Sequence, residues 1–373
     1  MILLDRCRGI AFDHPVRLVV FLVLTTGIWS PAVHAQRNFQ RNQSKAVPGP
    51  TYFAAFNEYQ RGDYSDALQD FRRAARNGVF SSLGRWVDAI CYHTMAGECY
   101  YHMGNLTQAL DQYDTAIRIH LAQQGWLLRV RFPDRIAASP TRRSDIQWGS
   151  SNRQSVVGRI PETMLSFQGR MDNENALRRG GVVAAPEMVP LRVSEILRCL
   201  ALSIRRRNEL MGPACRHDPL TGRLIQSLRG PQVPPNHWSE GWIDALLGLA
   251  YLGADQQEQA TKHLQRAIVL DGQFDHPLTP CVLLELGKSA TSRDQLEMAA
   301  ELLLEATYVG AYYYQADVVA EAFDHAATVH LISNQPGVYA PLIPATRWAR
   351  IKNLDPLCTA PVSYTHLTLP TKA

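Results

Sequence analysis

The sequence predicts an all-α fold, an α-solenoid of antiparallel helix pairs interrupted by a partly irregular insertion. Three observations carry the expectation. Apolar and small residues recur at helical spacing in paired segments. A turn signal separates the two segments of each pair, as at Gly62-Asp63 and Gly104-Asn105. The same small residues return in successive copies, about 40 residues apart, which is a period typical of stacked helix pairs.

The bulk composition agrees with an ordered chain. Of 373 residues, 46% are hydrophobic and 19% charged, which excludes a disordered polar chain. A net charge of +4 is too small for the basic footprint of a nucleic-acid binder.

Taken in order, residues 1–35 read as a signal peptide. Arg6, Arg8 and Arg17 precede the short apolar stretch Leu18 to Trp29, and "SPAVHA" puts Val33 and Ala35 at the small cleavage positions. Cleavage is expected after Ala35. The rival reading is an uncleaved anchor, the only membrane contact the sequence suggests. Residues 36–50, polar and ending in Pro-Gly-Pro, read as a linker.

Residues 51–120 hold the first two pairs. In the first, Tyr52 to Tyr59 is apolar at helical spacing. Gly62-Asp63 breaks the helix, Ser65-Asp66 can cap the next, and Ala67, Leu68, Phe71 and Ala74 form its stripe. In the second, "AGECYYHMGNLTQALDQYDTAI" repeats the scheme: Gly104-Asn105 is the turn, and Ala109, Leu110, Tyr113 and Ala116 replace the stripe. Gly97 and Ala109 are expected to be the points where the two helices touch, small residue against small residue, with Tyr100 and Tyr113 filling the space between. A glycine inside a helix costs about 1 kcal/mol relative to alanine, so its return as Gly248 and Gly287 argues that close packing offsets the cost.

Residues 121–232 read as an insertion. "WLLRVRFP" (Trp126 to Pro133) alternates like a strand, and the polar stretch after it reads as a loop. One clear helix lies near 194–211, with Ser194 as N-cap and Gly212-Pro213 as stop. Its "RRRNELM" end puts Arg205 to Arg207 where arginine complements the helix dipole. "CRHDPLTGRL" reads as a turn, since Cys215, His217 and Asp218 lack further metal ligands at suitable spacing. Residues 233–335 hold a third pair (Gly248, Tyr251, Ala260, Leu264, Ala267), a fourth (Gly287, Ala299, Leu303, Ala306) and the start of a fifth at Tyr312 to Ile332. Residues 336–361 read as a tail, expected to be cut short. Residues 362–373, "VSYTHLTLPTKA", resemble the translated read-through of a sequencing adapter and are expected to be foreign to the natural chain.

The repeated positions resemble those of the tetratricopeptide repeat family, over about 51–120 and 240–310 and most fully in the second copy. Departures are Ala55 in place of the helix glycine, Asp255 in place of the turn glycine, and Ala290 in place of an aromatic. The resemblance implies a concave surface, lined mainly by the first helix of each pair, that binds a peptide or partner protein. It carries this role to Tyr52, Phe56 and Tyr59, to Glu98, Tyr101 and His102, and to Lys288. The aromatic Tyr52, Phe53 and Phe56 argue against the family's carboxylate clamp.

No phosphate loop, dinucleotide fingerprint, GxSxG or HExxH occurs. The expectation is a non-catalytic scaffold of the cell envelope, without cofactor, metal, nucleic acid or small-molecule substrate. The alternative is the docking module of a larger enzyme or secretion component whose catalytic part lies beyond residue 361. Six cysteines follow the expected cleavage site without a paired framework, and Cys91 and Cys99 are too far apart along one helix to bridge.

Overall fold

Helix follows helix, and the strands between them are short. The computed structural model describes residues 46–81, 84–140, 148–167 and 188–333, all of them within one compact unit. The expected signal peptide, most of the linker, the tail and the last twelve residues lie outside the described residues.

The first pair is α1 (Pro50–Ala54) and α2 (Phe56–Arg61), continuous through Ala55, against α3 (Tyr64–Ala75). Gly62 ends α2 at φ 85°, a left-handed turn that glycine adopts without a side-chain clash. Asp63, not Ser65 or Asp66, occupies the N-cap position of α3. The buried stripe of α3 is Ala67, Leu68, Phe71 and Ala74. The second pair is α4 (Ala89–His102) and α5 (Leu106–Ala122). Asn105 caps α5, its side-chain oxygen accepting from the Gln108 amide at 3.4 Å.

From Val193 on, the insertion is helical. α6 (Val193–Met211) runs 19 residues and is followed, after a 3₁₀ turn, by α7 (Pro219–Arg229). α6 packs against α4 and α5 on one side and against α8 (Glu240–Gly253) on the other. It starts at Val193 with Arg192 at the N-cap position, two residues before the expected Ser194 cap; the Arg192 amide donates to the Val47 carbonyl at 2.9 Å. Asp218 caps α7, accepting from the Leu220 amide at 2.6 Å, so "CRHDPLTGRL" is a turn leading into a helix. α8 pairs with α9 (Gln257–Ala267), α10 (Thr279–Ser292) with α11 (Leu296–Tyr312), and α12 (Ala316–Ser333) packs on α11. The expected fifth-unit helix begins at Ala316, four residues late, since Tyr314 takes a left-handed turn at φ 56°.

Short strands fasten the irregular stretches. β1 (Phe80–Ser81) pairs with β2 (Gly84–Arg85) before α4. β3 (Ala137–Ala138) and β4 (Val156–Arg159) pair antiparallel, and β4 runs parallel to β7 (Phe274–Asp275) ahead of α10. β5 (Met164–Phe167) pairs antiparallel with β6 (Met188–Leu191), which leads into α6. The expected strand at Trp126 to Pro133 is instead a 3₁₀ turn at Leu127–Arg129. Trp126 and Leu127 are both fully buried, and successive residues cannot share one face of a strand. The end of the linker is likewise pinned, with Ala46 and Val47 buried and the Val47 amide donating to the Pro190 carbonyl.

The glycines inside α4, α8 and α10 face large side chains across each pair. A Cβ at Gly97 would lie 2.6 Å from a ring carbon of Tyr113, at Gly248 2.7 Å from Leu264, and at Gly287 2.8 Å from Leu303. In all three the partner lies sixteen residues on. At Gly97 the nearest atoms belong to Tyr113, so the glycine forms a notch that admits the ring, as Gly248 and Gly287 each admit a leucine. Ala109, Ala116, Ala260, Ala267 and Ala299 are fully buried beside these contacts. The five described cysteines are free and buried.

Candidate functional site

Three consecutive arginines organise the centre of the fold. Successive residues of a helix point about 100° apart, so Arg205, Arg206 and Arg207 leave α6 in three directions. Arg205 binds Glu285 of α10 at 3.0 Å and Glu321 of α12 at 2.6 Å. Arg206 binds Glu98 of α4 at 3.2 Å and its own helix's Glu209 at 2.8 Å. Arg207 binds Asp114 of α5 at 2.7 Å and the cap residue Asp218 at 3.0 Å. All three are buried and lie before the last turn of α6, so they serve as interhelical ion pairs where the sequence suggested partners of the helix dipole. Burial opposes the charge on Arg205, but Glu321, Cys281 and Glu285 outweigh it and hold its pKa above the ordinary value. For Arg206, Glu98, Glu321 and Glu209 outweigh burial in the same way. Burial alone would raise the Glu321 carboxyl; Arg205, then Lys288, pull it well below the usual carboxylate range.

Beside this cluster lies a cavity of about 520 Å³. Tyr59 enters from α2, Tyr101 and His102 from the end of α4, and Lys288 from α10. The far wall is one face of α12, comprising Asp317, Ala320, Glu321, Asp324 and His325. The other face of that helix, including Val318, Val319 and Ala322, is buried. Arg206 and Glu209 of α6 complete the lining.

The polar groups are mutually engaged. The Tyr59 hydroxyl donates to Glu98 at 3.3 Å and lies 3.2 Å from His102 Nε2. Tyr64 stacks on His102, with ring centroids 4.6 Å apart. The Tyr101 hydroxyl donates to Glu209, and the Arg206 guanidinium lies 4.4 Å from the centre of the Tyr101 ring, a cation–π geometry. Lys288 bridges Glu285 at 3.2 Å and Glu321 at 3.0 Å. Burial lowers the pKa of both His102 and His325, which keeps them neutral near pH 7. Burial, then the bond to Glu209, pushes the Tyr101 phenol up to about 12.

A second cavity, of about 420 Å³, adjoins the first, sharing Tyr59, Gln60, Ala316 and Asp317. Its walls are more apolar: Phe53, Phe56, Met95, Leu202, Pro277 and Tyr313. Arg198 and Arg192 at its edge are paired with Glu195 and Glu162.

Of the residues expected to meet a partner, Tyr59, Tyr101, His102 and Lys288 thus share one cavity, and Phe56 lines its neighbour. Two do not reach either. Tyr52 is fully buried among Phe53, Phe56, Phe71 and Tyr92, its hydroxyl donating to Glu195 at 2.6 Å. Glu98 is fully buried and accepts from Tyr113, Tyr59 and Arg206. Both belong to the core because α6 covers the first helices of the early pairs. The residues that sequence reasoning missed are those of α6 and α12. A signal for α12 exists: Asp317, Glu321, Asp324 and His325 follow helical spacing in an otherwise apolar segment.

The cavity lining contains two histidines and four carboxylates but no serine, threonine or cysteine. Its groups can hold charge and can donate and accept hydrogen bonds, the Tyr59 hydroxyl lying within reach of His102 Nε2. Compared with known protein families and with curated proteins, the chain matches none.

Proposed function

We propose that the protein is a non-catalytic, exported scaffold of the cell envelope, an α-solenoid of tetratricopeptide-like helix pairs, that binds an extended segment of a partner protein in the groove formed by these two cavities. The observation that carries the reading is convergence. Tyr59, Tyr101, His102 and Lys288 stand on three separate helices and line one concavity of about 520 Å³. Tyrosine suits such a surface, since it offers a large contact area with few rotors to immobilise. The solenoid reading is supported by the identical sixteen-residue offset of the glycine contacts in three pairs, and by α6 packing between α4 and α8. On this reading α6 continues the series between the second and third pairs, while α7 packs on α8 and α5.

The test is an array of random dodecapeptides probed with the full chain, with Tyr101→Ala, and with Ala320→Trp, which fills the cavity from a half-buried position on α12. A subset of peptides is expected to bind, and each substitution is expected to weaken that binding at least tenfold while the thermal melt stays within a few degrees. Binding that survives Ala320→Trp at full strength, or no binding to any peptide, would overturn the proposal.

A further inference from the structure

The groove presents two unlike compartments joined at Tyr59 and Asp317. In the larger one, Glu209, Asp317, Glu321 and Asp324 face the cations Arg206 and Lys288. Those cations are already committed: Arg206 to Glu98 and Glu209, Lys288 to Glu285 and Glu321. The two histidines add no charge near neutral pH, because burial lowers their pKa. Asp317 has no ion-pair partner among the described residues and sits at the junction, in the first turn of α12. Counting Arg205 against Glu321 and leaving Asp324 aside, the carboxylates Glu98, Glu209, Glu285, Asp317 and Glu321 still outnumber Arg205, Arg206 and Lys288, so the cluster keeps a negative surplus, with the rings of Tyr59, Tyr64 and Tyr101 as part of the compartment's wall. An anionic group would meet that surplus without a free cation to receive it. A cationic one would find carboxylates and ring faces together, the combination that holds ammonium and guanidinium groups. In the smaller compartment Arg198 and Arg192 are matched by Glu195 and Glu162, and Phe53 stands 38% exposed at its rim. This compartment fits a large apolar side chain.

We infer that the groove selects a polypeptide segment in which a lysine or arginine lies within a few residues of a large apolar side chain. The basic head group enters between Tyr59, Tyr101 and the carboxylates of α12, and the apolar side chain rests on Phe53 and Phe56. This rests on the groove being the peptide-binding surface proposed above.

The test uses the full chain and a peptide set in which one phenylalanine is followed, one to three positions on, by lysine, glutamine or glutamate. A companion set replaces the phenylalanine by alanine. Dissociation constants are read by fluorescence anisotropy at two salt concentrations. Phenylalanine–lysine peptides are expected to bind on the order of tenfold tighter than their glutamine counterparts, and more tightly still than the glutamate ones, with the gap narrowing at high salt. Asp317→Asn is expected to remove most of that gap and leave the glutamine peptides unaffected. Asp317→Lys is expected to shift the preference toward glutamate. Equal affinity for lysine and glutamine peptides would overturn the charge selection while leaving the groove a peptide site. Equal affinity of the alanine set would overturn the apolar half. No binding to any peptide would remove both this inference and the reading beneath it.

Discussion

The pair α4–α5 and the helix α6 lie against each other, and the contacts that distinguish them differ in kind. Within α4–α5 the contact is apolar and shape-based: Gly97 leaves a notch and the Tyr113 ring fills it. α6 also buries an apolar face, with Ile196, Leu197, Leu200 and Ile204 in the core, but at its C-terminal half charge is added, Arg205, Arg206 and Arg207 each reaching a carboxylate on a different neighbour. The first kind of contact repeats wherever the spacing repeats. The second occurs once and joins elements that sequence periodicity does not connect. Apolar burial gains from any close fit, whereas a buried charge is tolerated only when its partner is in place.

The largest expected effect follows from that difference. Arg206→Leu leaves the fully buried Glu98 without its cation, and removing one member of a buried pair costs about 3–5 kcal/mol. Replacing both, Glu98→Leu with Arg206→Leu, is expected to recover at least half of that loss, measured by denaturant unfolding as a double-mutant cycle. Acid should act on the same cluster. Despite burial, Arg205 and Lys288 hold the Glu321 carboxyl below its ordinary value, so its contribution is present above the unfolded carboxylate pKa, about 4.3. That contribution is lost as the pH falls through the lower, folded value. Glu321→Gln is therefore expected to destabilise at pH 7 and to lose part of its deficit against the native chain below pH 4. Additive losses in the cycle, or a Glu321→Gln deficit unchanged by acid, would mean that charge does not fix α6.

A medium effect tests the apolar half. Alanine in place of glycine within a helix ordinarily stabilises by about 1 kcal/mol. At Gly97 the added Cβ would stand 2.6 Å from the Tyr113 ring, and overpacking a core costs about 1–3 kcal/mol. Gly97→Ala is accordingly expected to destabilise by about 1 kcal/mol net, as are Gly248→Ala and Gly287→Ala. A stabilised variant at any of the three would show that the notch is not under compression. Position 55, where alanine stands sixteen residues before Phe71 as Gly97 does before Tyr113 and both are fully buried, indicates that a pair can be repacked to accept the methyl group when its partners are chosen with it.

How much was legible in the sequence follows from the same contrast. The notches, the turns and the buried alanines were legible, because apolar packing leaves a period that a single chain displays. Their closest partners were less legible: Gly97 was read against Ala109 with Tyr113 between the helices, whereas the nearest atoms to the notch are those of the Tyr113 ring, since spacing says which residue is small but not which side chain reaches it. The candidate site was legible in part. Tyr59, Tyr101, His102 and Lys288 lie on helices whose outer faces follow from the repeat. Tyr52 and Glu98 hold equivalent positions and are nevertheless buried, because α6 comes from a region without the repeat signature. Arg205 to Arg207 read as partners of the helix dipole, since nothing local reveals carboxylates that stand more than 75 residues away in sequence on α4, α5, α10 and α12.

The smallest effect concerns the turns, and it separates backbone strain from packing. The turn after α4 uses Gly104 at φ 77°, and an added Cβ there would meet nothing within 4 Å. The equivalent turns after α8 and α10 place Asp255 and Asp294 in the same left-handed region, both at φ 60°. A side chain in that region costs roughly 1–2 kcal/mol, less for aspartate, whose short polar group can bond locally. Gly104→Ala is thus expected to cost about 1 kcal/mol with no steric contribution. Asp294→Gly is expected to stabilise by about 0.5 kcal/mol, the relief being partly offset by the greater freedom of glycine in the unfolded chain. Both are within reach of paired denaturant titrations. A loss on Asp294→Gly would assign the aspartate side chain a bonding role at the turn. Gly97→Ala and Gly104→Ala would then differ in kind as well as in size, one failing against a ring and the other against its own backbone.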